Sequence, residues 1–211
     1  MKIAVIGAAG RTGRQVVRQA LDRGHAVVAV ARSPERLNLT GDRLTVAAAD
    51  VHDGGALAAT VLGTDAIITT FGAAAGRQPT DVYSAGITNV LAAMDGAGIR
   101  RLAVISASPA GPRAEQPAAL RRLVLPILDR FFGGAYADLR RMETVLQRRD
   151  DLEWTGLRPP RLLDRPATGA YRLDPKPLPR SRSLTYPDLA TALLDCVDAT
   201  EPRTGMLYVA N

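Results

Sequence analysis

The short apolar run Lys2–Ile6 (KIAVI) leads without a break into Gly7-Ala8-Ala9-Gly10-Arg11-Thr12-Gly13, and an amphipathic pattern starts inside that loop. Few local structures satisfy all three pieces. The run reads as a buried strand. Arg11–Arg23, with Val16, Val17, Ala20 and Leu21 on one face and Gly24 as its stop, reads as a helix. Each glycine at the join has a physical task. Gly7 permits the tight turn out of the strand, Gly10 lets backbone approach a pyrophosphate, and Gly13 lets the helix pack close to the sheet. Unpaired N–H groups and the positive end of the helix dipole then make an anion site. The spacing predicts a dinucleotide loop in which Ala9 and Thr12 also take part, rather than a merely structural turn.

The pattern continues along the chain. Ala26–Ala31, Leu44–Ala48, Ala66–Thr70 and Leu102–Ser106 read as strands, and Ala56–Leu62 and Asp81–Ala97 as helices between them. Regular β-α alternation with apolar strands predicts an α/β fold: a Rossmann-type doubly wound parallel sheet with helices on both faces. The second half is less regular. We expect a loop over Pro109–Pro117, a short amphipathic segment Leu120–Phe132 interrupted by Pro126, a helix Ala137–Arg149, and a strand Glu153–Leu157 ending at Arg158-Pro159-Pro160. The proline-rich stretch Arg165–Arg182 reads as extended, hairpin-like pieces. Thr185 is placed to cap a helix reaching about Asp198, with Pro187 just inside it, and Met206–Val209 reads as a last strand. The 211 residues suit one domain, 1–211, with a small C-terminal elaboration; elements over 109–135 and 159–185 lie on its substrate side.

A net charge of +6 invites a nucleic-acid reading. The arginines argue against it: they are scattered, interleaved with acids, and accompanied by only 4% aromatic residues. The basic bias favours small anionic ligands instead. A single cysteine, Cys196, excludes an internal disulfide and any CxxC metal site, and its apolar neighbours make it a small core residue. We expect no metal. No signal peptide and no stretch of ~20 apolar residues is evident, so a soluble, cytoplasmic monomer or homodimer, off the membrane, is expected.

The tip of the second strand bears on cofactor class. NAD sites usually place Asp or Glu there for the ribose 2′-hydroxyl. Here the chain reads Val30-Ala31-Arg32-Ser33, and Glu35 sits in the next turn. A guanidinium and a hydroxyl suit a 2′-phosphate, so NADP(H) is expected in preference to NAD(H), with Arg11 placed to close on the same group. Two roles fit Asp50, which precedes Val51: a contact to adenine, or a helix N-cap. Thr70-Phe71-Gly72 ends the fourth strand beside the crevice, where small residues let a cofactor pass.

These residues together resemble the atypical short-chain dehydrogenase/reductases, closest to the branch of biliverdin-IXβ reductase and flavin reductase. The likeness spans essentially the whole chain. It rests on KIAVIGAAGRTG (2–13), TDVYSAGITNVLAAM (80–94), LAVISAS (102–108), RMETVL (141–146), LRPP (157–160), TGAY (168–171) and YPDLA (186–190). The resemblance implies NADPH-dependent reduction of a small flat conjugated acceptor: a flavin, a bilin or a quinone-like molecule. It further implies a serine by the nicotinamide after the fifth strand and backbone at Pro159-Pro160 holding the carboxamide. The sequence departs from the branch in two places. The Thr-Ser pair is Ser106-Ala107, leaving Ser106 and Ser108 as hydroxyl donors, and Leu139 or a neighbour replaces a histidine. A Tyr-x-x-x-Lys dyad has a counterpart in Tyr136 and Arg140, but arginine does not relay a proton, and Tyr136 reads rather as a packing residue lining the pocket. Pro109–Gly134 reads three ways: wall of the acceptor slot, core helix, or dimer surface. Three functions therefore fit the sequence: a reductase using Ser106, Ser108 and Tyr136, a binding-only redox sensor like nitrogen-metabolite-repressor proteins, and a tailoring reductase or isomerase.

Overall fold

In a computed structural model, which describes residues 1–73, 78–116, 118, 120–201 and 203–211, the strands follow the expected alternation. The elements are β1 (Lys2–Ile6), α1 (Arg11–Asp22), β2 (Ala26–Ala31), β3 (Leu44–Ala48), α2 (Gly54–Val61), β4 (Ala66–Thr69), α3 (Val82–Ala97), β5 (Arg101–Ile105), α4 (Leu125–Leu146), β6 (Glu153–Arg158), β7 (Arg161–Leu163), β8 (Arg172–Asp174), β9 (Ser183–Thr185), α5 (Tyr186–Asp198) and β10 (Gly205–Ala210). One eight-stranded sheet has the order β3-β2-β1-β4-β5-β6-β10-β8, parallel throughout except for the antiparallel edge strand β8. This is the doubly wound Rossmann arrangement.

The period of two along each strand divides the core into two layers. Ile3 and Val5 of β1, Val27 and Ala29 of β2, and Ile68 of β4 face one side, where α1 brings Val16, Val17 and Ala20 and α5 brings Leu189, Leu193 and Val197. The intervening residues, Ala4, Ile6, Val28, Val30 and Ile67, face the other side, against Leu57 of α2, Ile87 and Met94 of α3, and Met142 of α4. Both faces are apolar because both are covered, which is why these strands read as continuous runs. The chain winds outward from β1 through β2 to β3 and then returns to β4 on β1's other side. That reversal opens a crevice at the C-terminal ends of β1 and β4, the general ligand position in such sheets.

Three expectations from the sequence need correction. The segments split at Pro126 and Gly133-Gly134 form one 22-residue helix, α4, preceded by a π-helical turn over Leu120–Val124. Pro126 lies in the helix's first turn, where no backbone N–H is needed. The glycines are carried through because Leu139, Met142 and Leu146 bury the helix downstream. Second, the extended pieces after β6 do not pair as a hairpin: β7 pairs in parallel with β9, and β8 joins the main sheet beside β10. Third, the expected loop from Pro109 contains two single 3-10 turns, Ser108–Ala110 and Arg113–Glu115; its last residue, Pro117, lies outside the described residues. Of the three readings of Pro109–Gly134, the outer face of the π-turn and early α4 is solvent-exposed, with Leu123, Ile127 and Phe131 all more than half accessible, while Leu125 is buried.

The TGAY string (168–171) has a structural task. Asp188, 2% exposed in the first turn of α5, accepts bonds from Thr168 N (3.0 Å), Thr168 Oγ1 (2.8 Å), Gly169 N (3.2 Å), Thr185 Oγ1 (2.8 Å) and Asn211 Nδ2 (3.0 Å). Thr185 caps α5 as the sequence predicts, accepting from Asp188 N at 3.1 Å. Tyr171 donates to Asp195. No helix among the described residues is long and apolar enough to cross a membrane.

Candidate functional site

The crevice at the reversal point is a cleft of about 760 Å³. Its floor is the β1–α1 loop. Gly7 has φ +91°, and an added Cβ there would lie 2.5 Å from Phe71 N, so only glycine fits the turn. At Gly13 a Cβ would stand 2.4 Å from Gly7 O and 2.8 Å from Thr70 Oγ1; helix, loop and β4 therefore meet with no room for a side chain. Thr70 fastens the two halves of the crevice, donating from N to Ile6 O (2.7 Å) and from Oγ1 to Gly7 O (3.0 Å). The start of α1 carries no side-chain cap and no acid in its first turn. Its N–H groups are left to solvent or to an anion, a cradle that suits a diphosphate.

Most of the expected cofactor residues converge on this cleft. Gly7, Ala9, Gly10, Arg32, Ser33, Asp50, Val51, Thr70, Phe71 and Gly72 all line it. Others do not. Thr12 and Gly13 are buried beneath the loop. Arg11 turns the other way: its Nη1 donates to Tyr186 Oη at 3.2 Å and its guanidinium lies 5.5 Å from that ring's centre. Among the described residues, the cations that join Arg32 at the cleft are instead Arg14 and Arg36. Arg14 Nη2 donates to Arg36 O at 2.6 Å, tying α1 to the 3-10 turn Pro34–Arg36. Sequence reasoning missed both. The signal was present in the spacing, since Arg36 follows Arg32 by four residues and Arg14 lies one turn into the helix from Gly10.

Of the two roles for Asp50, the N-cap belongs to its neighbour: Asp53 caps α2, accepting from Ala56 N at 2.9 Å. Asp50 remains in the cleft wall. Its Oδ1 accepts from His52 N (2.9 Å) and lies 3.1 Å from His52 Nδ1, while Oδ2 is 3.8 Å from Arg32 Nη1. The backbone N–H of His52, followed by its ring and by Arg32, holds the Asp50 carboxyl below the usual carboxylate range.

The acid–base candidates are engaged elsewhere. Ser106 is 5% exposed and donates to Glu143 Oε1 at 2.5 Å. Glu143 in turn forms a buried pair with Arg158, whose Nη2 lies 2.6 Å from Oε2. Ser108 donates to Arg158 O at 2.9 Å, and its N–H donates to Pro159 O at 2.8 Å. Both hydroxyl protons are therefore committed within the protein. Tyr136 lies inside α4, half-buried, with its ring centre 6.0 Å from that of Phe132. Burial, with the negative charge of Asp129 and the phenol of Tyr83 beside it, pushes the Tyr136 hydroxyl up, the opposite of what a dyad needs. Arg140 does not act on it. Its Nε and Nη2 donate to the carbonyls of Ala110 and Pro109, both at 3.2 Å. Ser106, Ser108, Tyr136, Pro159 and Pro160 lie outside the lining of the 760 Å³ cleft. Cys196 is half-buried and packs against the α1–α5 layer; burial raises its thiol to about 11.

A family described as NAD(P)H-binding matches residues 7–200, nearly the whole chain. The chain belongs to the NAD(P)H-binding family. It resembles YwnB, an uncharacterized protein of Bacillus subtilis, at 28% identity over all of this chain and 99% of that one. Among solved structures, the oxidoreductase ylbE from Lactococcus lactis superposes with a TM-score of 0.81 at 19% identity, covering 100% of this chain and 91% of that one. A short-chain dehydrogenase/reductase of the wide type from Veillonella parvula, in complex with NADP, superposes with a TM-score of 0.80 at 20% identity, covering 100% and 94%. Membership makes a nicotinamide nucleotide the expected class of ligand, and the solved structures share the Rossmann-like α/β fold.

Proposed function

We propose that this member of the NAD(P)H-binding family is an NADPH-dependent oxidoreductase acting on a flat conjugated acceptor such as a flavin, a bilin or a quinone-like molecule. The observation that carries the reading is the cationic end of the cleft. Arg14, Arg32 and Arg36 line it together, and no acid stands at the tip of β2. Three guanidiniums there suit a 2′-phosphate, while the uncapped start of α1 suits the diphosphate. When bound, the reduced nicotinamide supplies hydride; the chain's own residues bind, orient and exclude water.

What the protein withholds supports this acceptor class. Ser106 and Ser108 have donated their protons internally, and the Tyr136 phenol is harder to ionise than usual. Such a site favours acceptors whose reduction draws its proton from solvent. The same commitment of hydroxyls favours a second reading, an NADP(H) sensor that binds without turnover.

Stopped-flow loss of NADPH absorbance against a panel of flavins, bilins and quinones separates the two. Oxidation by at least one acceptor is expected; tight binding with no oxidation by any would favour the sensor. In calorimetry, Arg32→Ala is expected to weaken NADPH by about 1.5–3 kcal/mol, the scale of a charge-assisted bond, and NADH far less. Equal loss for both nucleotides would show that Arg32 does not read the phosphate.

A further inference from the structure

His52 lines the cleft between two carboxylates that come from different parts of the chain. Nδ1 lies 3.1 Å from Asp50 Oδ1, in the loop after β3, and Nε2 lies 3.3 Å from Asp81 Oδ1, just before α3. Both ring nitrogens can donate only in the imidazolium form; a neutral ring has one N–H and turns a lone pair toward the other carboxylate. The arrangement is therefore built for a charged ring, and the two carboxylates raise the His52 pKa, with Asp50 the larger influence. Beyond Asp50, on its other oxygen, stands Arg32 at 3.8 Å, a side chain three-quarters exposed. Among the described residues the remaining cations of the cleft are Arg14 and Arg36, which are joined to one another through Arg36 O.

Among the described residues Asp50 thus has two cations within reach, one on each oxygen. While His52 is charged, it neutralises Asp50 at close range and Arg32 is held only loosely, at 3.8 Å and three-quarters exposed. When the ring loses its proton, the His52 backbone N–H still bonds Asp50, but Arg32 becomes the nearest positive charge to that carboxylate. A guanidinium drawn to Asp50 is less available to any other anion.

We propose that His52 is a positioning residue for nucleotide selection: by engaging Asp50 it keeps Arg32 available for a 2′-phosphate. The inference rests on reading Arg32 as the phosphate partner. It goes further in making the preference for NADPH over NADH depend on a side chain that need not touch either nucleotide.

The expected effect is set by one exposed ion pair, so selectivity should change about three- to fivefold. Ionisation of the 2′-phosphate itself, near pH 6, runs in the opposite direction but is common to every variant. The test is calorimetric: dissociation constants of NADPH and NADH between about pH 5.5 and 8.5 for the native protein, His52→Gln, Asp50→Asn and the double variant. Glutamine keeps a hydrogen bond and removes the charge. At the acidic end His52→Gln is expected to lose about three- to fivefold of the native selectivity, and the two curves should converge at the alkaline end. In the Asp50→Asn background His52→Gln should change nothing, and NMR should find the His52 ring titrating at lower pH there than in the native chain. Native protein and His52→Gln showing the same selectivity at every pH would overturn the inference while leaving the phosphate reading intact. A native protein with no preference for NADPH at any pH would instead remove the phosphate reading on which it rests.

Discussion

At the scale of single residues, backbone roles were legible and side-chain commitments were not. Gly7 and Gly13 could be assigned from spacing alone because the constraint is local: one turn requires a positive φ, and one helix must approach its strand. Gly13→Ala tests this. With 2.4 Å to Gly7 O and 2.8 Å to Thr70 Oγ1, a methyl group forces α1 off the sheet, at about 1–3 kcal/mol of overpacking. Calorimetric melting should show a lower Tm, and NADPH titration a weaker affinity. An unchanged Tm would mean that α1 has slack the geometry does not suggest. Ser106, Ser108 and Arg11 show the opposite case. Their partners Glu143, Arg158 and Tyr186 lie 37, 50 and 175 residues away, so nothing near them in sequence marks where their hydrogen bonds go.

At the scale of elements, the strands of the first half were readable because burial on both faces gives each a continuous apolar run. α4 was misread because proline and paired glycine are local stop signals, overridden here by tertiary burial downstream. Its interior also does work for a neighbour. Asp138, fully buried, accepts from Tyr83 N (2.8 Å) and Ser84 N (3.3 Å), and so caps the start of α3 from another helix. Asp81, the residue in the capping position, makes no such bond. The continuity of α4 predicts a stabilising substitution. A Cβ at Gly133 would meet nothing within 4 Å, and the helix gains from alanine over glycine. Gly133→Ala should add about 0.5–1 kcal/mol, read as a rise in Tm of about 1–4 °C. A fall in Tm would mean that the chain needs a break at this point.

Across the whole molecule, the doubly wound order was foreseeable from alternation, whereas the C-terminal clasp was not, because Thr168, Thr185, Asp188 and Asn211 meet only once β10 is in place. Burial pushes the Asp188 carboxyl up, but the bonds from Thr168, Thr185 and Asn211 outweigh it and hold the carboxyl below its ordinary value. A group depressed in the folded state contributes stability that is present above its unfolded pKa, about 3.9, and disappears as pH falls through the folded value. Urea unfolding from about pH 7 to pH 3 should therefore show Asp188→Asn less stable by about 2–4 kcal/mol at neutral pH, with the gap narrowing in acid. A gap independent of pH would assign the loss to packing rather than charge. The brace between the first and last helices has its own consequence. Gln19 donates to Pro187 O (3.0 Å) and accepts from Thr191 Oγ1 (2.9 Å), beside the pairing of Arg11 with Tyr186. The helix that follows the nucleotide loop leaves a ribosome well over a hundred residues ahead of its supports: 175 residues separate Arg11 from Tyr186 and 172 separate Gln19 from Thr191. Until α5 has been translated the loop is not held from behind, so a chain stalled between the two helices carries the glycine signature without the pocket it encodes.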